Sequence, residues 1–318
     1  MKLNVNLEDS KICKNIAGAG SENLKALEDI FNASIDIHGD TVLTNLSDEE
    51  NLNKLENIFN ILKLMSLKGY SITLRDIYYV ISIVNEDKIN EYIDFLNSRK
   101  VIGHTINNKP IYAKTLKQDE YIKTLDKKDL VFSIGAAGTG KTYLAVCYAV
   151  TELKKGNIER IILTRPAVEA GESLGFLPGD LKEKVDPYLR PLYDALYDML
   201  GVSQTQMLIE KQVIEIAPLA YMRGRTLEKA FIILDEAQNA TIDQLKMFLT
   251  RLGFNSKMIV TGDISQVDLP SSKKSGLKVS ANLLSDLNEV GLVVFEKADV
   301  VRHPLVGKII EKFEKLEK

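Results

Sequence analysis

Residues 130–150, LVFSIGAAGTGKTYLAVCYAV, place a glycine-rich octet between an apolar run and a stretch with helical character. The octet, Gly135 to Thr142, matches G-x-x-x-x-G-K-[ST], the phosphate-binding P-loop. Its glycines let the backbone bend closely enough for successive N–H groups to converge on phosphate oxygens. The N-terminus of the following helix adds donors and a favourable dipole. The sequence therefore predicts a strand, a phosphate-binding loop and a helix, in that order.

The P-loop also predicts which residues hold a nucleotide and its metal ion. Lys141 can reach the β- and γ-phosphates, and the Thr142 hydroxyl can ligate Mg²⁺. The phosphate-binding candidates are Gly135, Ala136, Ala137, Gly138, Thr139, Gly140, Lys141 and Thr142. We expect ATP and Mg²⁺ as cofactors. The alternative, a glycine-rich turn that matches by chance, is disfavoured by the strand before it and the helix after it.

Composition excludes several classes of protein. The 318 residues carry 41 basic and 44 acidic side chains, a formal net charge of −3, so any nucleic-acid site must be a local patch. No uncharged apolar run approaches the roughly 18 residues of a membrane span. Residues 1–10 lack the apolar core of a signal peptide. We therefore expect a cytoplasmic protein without a membrane partner.

Strands and helices alternate from residue 114 to residue 318, which predicts an α/β domain with a parallel sheet and helices on both faces. Its strand candidates are Leu130–Ile134, Arg160–Thr164, Val213–Ala217, Phe231–Leu234, Lys257–Thr261 and Leu292–Phe295. Residues 306–318 predict a terminal amphipathic helix. Residues 1–66 predict a small α/β unit whose last helix, over 48–65, takes Ser47 as its N-cap. Residues 67–113 predict a helical and extended connector.

Two further strand ends carry polar groups that suit nucleotide hydrolysis. Asp235 follows an apolar strand and is placed to hold the magnesium hydration shell, and Glu236 is the candidate general base. A Glu beside the Asp, with two strands between loop and acidic strand, favours the RecA- and helicase-like branch over kinases. Residues 258–266, MIVTGDISQ, resemble the third motif of superfamily 1 helicases. There Asp263 and Gln266 would sense the γ-phosphate, although a simple β-turn is the alternative.

Residues 113–318 resemble the PhoH-like family of ATPases, relatives of phosphate-starvation-inducible proteins. The matching blocks are 113–122, 134–146, 163–194, 217–241, 248–270 and 299–306. The longest, LTRPAVEAGESLGFLPGDLKEKVDPYLRPLYD, is far more specific than a P-loop alone. The resemblance implies a single RecA-like domain, ATP hydrolysis and a role in RNA metabolism. It also assigns Gln118 as an adenine-binding residue, and a side-chain amide can pair with adenine N6 and N7.

The family's N-terminal segment is similar to a KH-like unit, whose G-x-x-G loop clamps a nucleic-acid backbone. In this chain Gly18 is followed three residues later by Ser21, and neither of the residues between them is basic. Residues 1–66 hold six basic side chains against eleven acidic ones. An assembly or docking role for this unit is therefore at least as well supported as RNA binding.

About fifty residues follow Gln266, too few for a second RecA-like domain. We predict a homo-oligomeric ring, such as a hexamer, in which a neighbour completes each site. Arg302 or Arg251 would serve as the arginine finger, unless each forms only a surface ion pair.

Residues 165–194 form a long connection that, with Tyr221, Arg223 and Arg225, supplies an arginine and aromatic mix suited to single-stranded RNA. One function is an ATPase coupled to RNA binding or helicase-like remodelling. The alternative is a nucleotide-controlled adaptor that docks to a ribonuclease or a ribosome-associated protein without translocation.

Overall fold

The computed structural model of the chain describes residues 1–166, 181–270, 273–296 and 299–300. The chain divides into two compact units, residues 1–98 and residues 99–300. The interval predicted as a connector, 67–113, is shared between them, because its helices belong to the first unit and its extended part to the second. Arg302 and the predicted helix over 306–318 lie outside the described residues.

The first unit packs helices on a small antiparallel sheet. Its strands, in the order β1-β3-β2, and its helices are β1 Lys2–Asn6, α1 Ser10–Ala17, α2 Glu22–Phe31, β2 Ile35–His38, β3 Thr41–Thr44, α3 Glu49–Leu67, α4 Leu74–Asn85 and α5 Ile89–Ser98. Leu3 and Val5 alternate with exposed residues along β1, so one face of the sheet is buried.

Two local features of this unit bear on the sequence predictions. The N-cap of α3 is Asp48, whose carboxylate accepts the N–H of Asn51, so the prediction of Ser47 was wrong by one residue. The cap must lie within reach of the free N–H groups of the first turn, and Ser47 is one residue too early. Between α1 and α2, Ser21 has a left-handed backbone (φ 60°) where a second loop glycine would stand. The KH resemblance itself stays a prediction.

The second unit contains a two-stranded hairpin followed by a six-stranded sheet with its helices. The elements are β4 Val101–His104, β5 Pro110–Tyr112, α6 Leu116–Lys127, β6 Leu130–Ile134, α7 Lys141–Lys155, β7 Arg160–Arg165, α8 Leu181–Leu200, α9 Val202–Glu210, β8 Ile214–Pro218, β9 Ala230–Leu234, α10 Ile242–Leu249, β10 Lys257–Gly262, α11 Leu277–Leu284 and β11 Val290–Val294. β4 and β5 form the hairpin. The sheet has the order β11-β6-β10-β9-β7-β8, and every pair in it is parallel. The six predicted strands and the α/β fold class are confirmed.

The topology of this sheet determines where the polar strand ends meet. All five residues of β6 and all five of β9 are buried, as expected where helices cover both faces. β10 lies between them, with Gly262 opposite Ile134 and Val260 opposite Leu234. The P-loop, Asp235 and Asp263 therefore emerge side by side at the carboxyl edge, where open parallel sheets bind ligands.

Among the described residues, no helix has both the length and the apolar character that a membrane span requires.

Candidate active site

An open cavity of about 230 Å³ lies at the carboxyl edge of the sheet. Its lining includes most of the residues that the sequence singles out. They are Ala137, Gly138, Gly140, Lys141, Thr142, Tyr143, Asp235, Glu236, Gly262, Asp263 and Gln266. The structure thus brings the P-loop, the acidic pair and the tip of β10 into one pocket.

The P-loop is held against the neighbouring strands through its first glycine. The Gly135 N–H donates to the carbonyl of Gly262 at 3.0 Å. A Cβ at this position would lie 2.6 Å from the carbonyl oxygen of Phe295, and the backbone has φ 152°. Only glycine fits there without moving the end of β11 or the loop.

The ammonium of Lys141 lies within the curve of the loop. It donates to the carbonyls of Gly135 at 2.6 Å and Ala136 at 2.8 Å, and to the Thr139 hydroxyl at 3.2 Å. The side chain is buried, with 7% exposed. A phosphate that enters the pocket would meet a cation already held at the loop, and some of these carbonyl contacts would be exchanged for phosphate oxygens.

Asp235 forms the centre of a cluster of donors at the tip of β9. One carboxylate oxygen, Oδ1, accepts from the hydroxyls of Thr142 at 2.6 Å and Thr261 at 2.7 Å. The other, Oδ2, accepts from Arg165 Nε at 2.8 Å and Nη2 at 2.6 Å. The adjacent Thr142 hydroxyl and Asp235 carboxylate are oxygen ligands of the kind Mg²⁺ prefers, so the donor set fits that ion.

Glu236 faces the pocket from a strained backbone position. Its φ of 55° lies in the left-handed region, which is uncommon for a residue other than glycine. The carboxylate accepts from Gln238 Nε2 at 2.5 Å and from Arg165 Nη2 at 3.2 Å. Strain of this kind is concentrated at functional sites, where surrounding contacts maintain it. Here Gln238 and Arg165 provide those contacts.

Asp263 connects the P-loop to the loop after β10. Its Oδ2 accepts the N–H of Ala137 at 3.2 Å, while Oδ1 accepts the N–H and hydroxyl of Ser265 at 2.9 and 2.6 Å. The backbone N–H of Gln266 donates to the carbonyl of Asp263 at 3.1 Å. The candidate γ-phosphate sensors therefore belong to one short loop that contacts the P-loop directly.

Comparison with known proteins shows which family the chain is similar to. The sequence profile of the family described as "PhoH-like protein" matches residues 110–314. The chain belongs to the PhoH-like protein family. The PhoH-like protein of Bacillus subtilis (strain 168) is 50% identical over 315 residues, which cover 99% of this chain and 98% of that protein. Protein PhoH of Escherichia coli (strain K12) is 47% identical over 206 residues, which cover 64% of this chain and 58% of that protein.

Two solved structures are weakly similar to this PhoH-like protein. The large terminase of a thermophilic bacteriophage is 13% identical with a TM-score of 0.37, over 59% of this chain and 45% of the terminase. The Sulfolobus solfataricus SWI2/SNF2 ATPase core is 14% identical with a TM-score of 0.30, over 58% of this chain and 34% of that one. The family match, together with the P-loop and the acidic strand tip, shows that this chain has a nucleotide-binding fold of the P-loop ATPase type.

Gln118 of this chain is hydrogen-bonded to the backbone of the P-loop. It is 6% exposed; its Nε2 donates to the carbonyl of Thr139 at 2.9 Å, and its Oε1 accepts the N–H of Lys114 at 2.7 Å. Both ends of the amide are thus bonded to backbone. The adenine contact stays a prediction, and it would have to use the second N–H and the second oxygen lone pair of this buried amide or replace these bonds.

The residues predicted to contact RNA or a neighbouring subunit differ in their surroundings. Arg225 forms a bidentate pair with Glu215 at 2.6 and 2.7 Å, which raises the pKa of the guanidinium. Arg251 donates to the carbonyls of Met247 and Arg225, both at 3.0 Å. Tyr221 and Arg223 are exposed after β8. Tyr221 and Arg223 therefore have side chains directed at solvent, whereas Arg225 and Arg251 are held by the fold.

The site also contains Arg165, Thr261 and Gln238, which the sequence patterns did not assign to it. Arg165 and Thr261 stand at or one residue before the carboxyl ends of β7 and β10, and Gln238 follows Glu236 by two residues. Polar residues at the ends of otherwise apolar strands were the available signal. What each one contacts depends on which strands are neighbours.

Proposed function

We propose that this PhoH-like protein hydrolyses ATP with Mg²⁺. The observation that supports the proposal best is the direct hydrogen bond between Thr142 and Asp235, 2.6 Å, with Lys141 and Glu236 lining the same pocket. A P-loop alone would support nucleotide binding. An acidic strand tip in contact with the loop's threonine, next to a second carboxylate, adds the groups that hydrolysis requires.

Each residue has a distinct part in the proposed reaction. Lys141 and the loop N–H groups hold the phosphates in place and offset their negative charge. Thr142 and Asp235 would hold Mg²⁺, which when bound polarises the phosphoryl oxygens. Glu236 accepts a proton from the attacking water. The water oxygen forms a bond to the γ-phosphorus, and the bond between that phosphorus and the ADP oxygen breaks. Asp263 and Gln266 respond to the presence of the γ-phosphate.

We further propose that hydrolysis in the cytoplasm is coupled to single-stranded RNA at the surface formed by Tyr221 and Arg223. Both side chains are exposed beyond the carboxyl end of β8, with Tyr221 49% exposed. An aromatic ring with an adjacent cation provides stacking and phosphate contact without sequence preference. Arg225 is a weaker candidate because Glu215 already occupies its guanidinium.

The second candidate function is an adaptor whose docking to a ribonuclease or ribosome-associated protein depends on the bound nucleotide. The acidic excess of residues 1–66 favours it, because negative charge opposes RNA binding at the first unit. In this case ATP would still be hydrolysed, but RNA would not change the rate.

Steady-state ATP hydrolysis with and without single-stranded RNA tests both functions. Lys141→Ala is the blank. If the wild-type protein hydrolyses ATP no faster than this variant, the ATPase proposal is contradicted. We expect RNA to stimulate the wild-type protein and to do so less in Tyr221→Ala combined with Arg223→Ala. Lys211→Ala is the matched control, since it removes one exposed cation before the opposite end of β8. Turnover that is indifferent to RNA would favour the adaptor.

A further inference from the structure

Gln238 is hydrogen-bonded to the residues that follow β9 and β10, and it does so outside the residues that line the pocket. The side chain is 1% exposed and belongs to the short turn that follows β9. Its Nε2 donates to Glu236 Oε2 at 2.5 Å, and its Oε1 accepts the N–H of Asp263 at 3.0 Å. An amide nitrogen only donates and an amide oxygen only accepts, so this orientation of the side chain is fixed by its two partners.

The connection continues from Asp263 to the P-loop, because the Asp263 carboxylate accepts the N–H of Ala137 at 3.2 Å. A hydrogen-bonded path therefore runs from a phosphate-binding N–H through Asp263 and Gln238 to the candidate general base. A second amide secures the far end of the same loop. Asn239 accepts the N–H of Asp268 at 2.8 Å and donates to its carboxylate at 3.3 Å.

Close packing maintains the Gln238 contact. A Cβ on Gly262 would lie 2.7 Å from Gln238 Oε1 and 2.6 Å from Leu277. Glycine at the end of β10 is therefore what lets the Gln238 amide approach the strand.

A nucleotide phosphate would compete with Asp263 for the N–H of Ala137. P-loop N–H groups are anion ligands, and a carboxylate and a phosphate at the same donor repel each other. Phosphate that takes this donor displaces the Asp263 carboxylate. The backbone N–H of Asp263 donates to Gln238, so the amide that holds Glu236 is the next group along this path.

We propose that Gln238 is a positioning residue that holds the Glu236 carboxylate in place and couples it to the occupant of the Ala137 N–H. The proposal rests on the proposed ATP hydrolysis and deepens it. The carboxylate of Asp263 acts as an internal competitor for phosphate, and Gln238 transmits its release to the general base.

Turnover kinetics test the link between Gln238 and Glu236. Gln238→Met keeps the volume and removes both hydrogen bonds, and we expect kcat to fall roughly 10- to 100-fold. The KM for ATP should change by no more than about threefold, because uniform binding is retained. Gln238→Glu keeps the acceptor for Asp263 and places a carboxylate against Glu236, so its kcat should fall at least as far. This variant also tests the link if Gln238→Met fails to fold.

A double-mutant cycle separates positioning from a structural effect. In a Glu236→Gln background, Gln238→Met should cost little more, since the residue acts through the lost carboxylate. The comparison variant Asn239→Leu removes the hydrogen bonds to Asp268. Its effect on kcat should add to that of Glu236→Gln. An undiminished kcat in both Gln238 variants, or a full further loss in the Glu236→Gln background, would overturn the proposal.

Binding of a non-hydrolysable ATP analogue with Mg²⁺ tests the other half of the path without turnover. Asp263→Asn removes the competing charge and should lower the Kd of the analogue. The decrease in Kd should be smaller when Gln238→Met is also present. Independent, additive effects on Kd would refute the coupling. A wild-type protein without lysine-dependent turnover would refute the proposed function instead, and the binding cycle would still decide whether Gln238 links the two loops.

Discussion

At the residue scale, Asp235 shows why the site tolerates a buried charge. The residue is 3% exposed, yet both carboxylate oxygens are bonded, to two hydroxyls on one side and to Arg165 on the other. A buried carboxylate without partners would be costly. The ion pair with Arg165 and the hydroxyl contacts replace the solvation that burial removes. Mg²⁺ bound here would offset the same charge that Arg165 offsets.

We expect Arg165→Ala to lower the free energy of unfolding by about 3 kcal/mol, because it leaves the Asp235 carboxylate buried without its cation. Urea denaturation measures the change. Mg²⁺ with nucleotide should recover more stability in the variant than in the wild type. Arg160→Ala, at the opposite end of the same strand, is the control. Equal losses in the two variants would show that the ion pair contributes nothing specific.

The site residues divide by how directly the sequence specifies them. The P-loop could be predicted because its glycines, lysine and threonine each meet a backbone or ligand requirement that is local in sequence. Arg165 and Gln238 could not be assigned, because their partners are set by β10 lying between β6 and β9 and by β7 lying beside β9. Strand order is a property of tertiary packing, and hydrophobic periodicity does not encode it.

At the element scale, the β4–β5 hairpin is part of the second unit although its sequence suggested a connector. β4 packs on α7, and a Cβ on Gly103 would lie 2.5 Å from the Thr151 hydroxyl and 3.2 Å from the Cys147 sulfur. The strands are short, at four and three residues, and their partner helix lies some forty residues further on. Local sequence patterns could not show that contact.

We expect Gly103→Ala to destabilise the protein by about 1–3 kcal/mol through overpacking against α7. Adding Thr151→Ala removes the nearest atom and should restore part of the loss. Thermal or urea denaturation of the two single variants and the double variant measures the coupling. Simple additivity would mean that the hairpin does not press on this side of α7.

Helix α7 contains a buried cysteine, Cys147, whose reaction with thiol reagents would report local opening of the helix. Burial raises the pKa of Cys147 to about 12, whereas Cys13, whose pKa burial also raises, is partly exposed. At pH 8 only about one Cys147 thiol in 10⁴ would be ionised, so it should react with thiol reagents far more slowly than Cys13. Mg²⁺ and ATP should slow the reaction of Cys147 further, because ligand binding opposes opening of α7.

Cysteine labelling followed by peptide mass analysis tests this prediction, with Cys13→Ser as the control that isolates Cys147. Rapid labelling of Cys147 in the folded protein would contradict the burial of α7 in solution. Labelling that nucleotide leaves unchanged would show that the loop at the start of α7 does not bind phosphate.

At the scale of the whole molecule, the two units differ in how well the sequence outlines them. The six strands of the second unit could be predicted because most of them are short apolar runs within a sheet covered on both faces. The first unit extends to Ser98. Its extra helices α4 and α5 pack against α3 through apolar faces, and an amphipathic pattern alone does not say which unit a helix joins.

Assembly of several subunits would complete the nucleotide site. The pocket is open and its P-loop lies at the edge of one sheet, so we expect a homo-oligomeric ring in which each subunit supplies an arginine to its neighbour. Light scattering in the presence of ATP should give a mass of several subunits. The candidates for that arginine are Arg302 and Arg251, of which Arg302 lies outside the described residues.

Mixing two inactive variants tests the arginine directly. Lys141→Ala destroys a subunit's own site, and Arg302→Ala removes only what it offers to the next subunit. Co-assembled rings should regain part of the hydrolysis rate, because an intact site then lies beside an intact arginine. Arg251→Ala mixed with Lys141→Ala serves as the comparison, since the Arg251 guanidinium is held by the carbonyls of Met247 and Arg225. A monomeric mass, or mixtures as inactive as their parts, would contradict an arginine supplied by a neighbouring subunit.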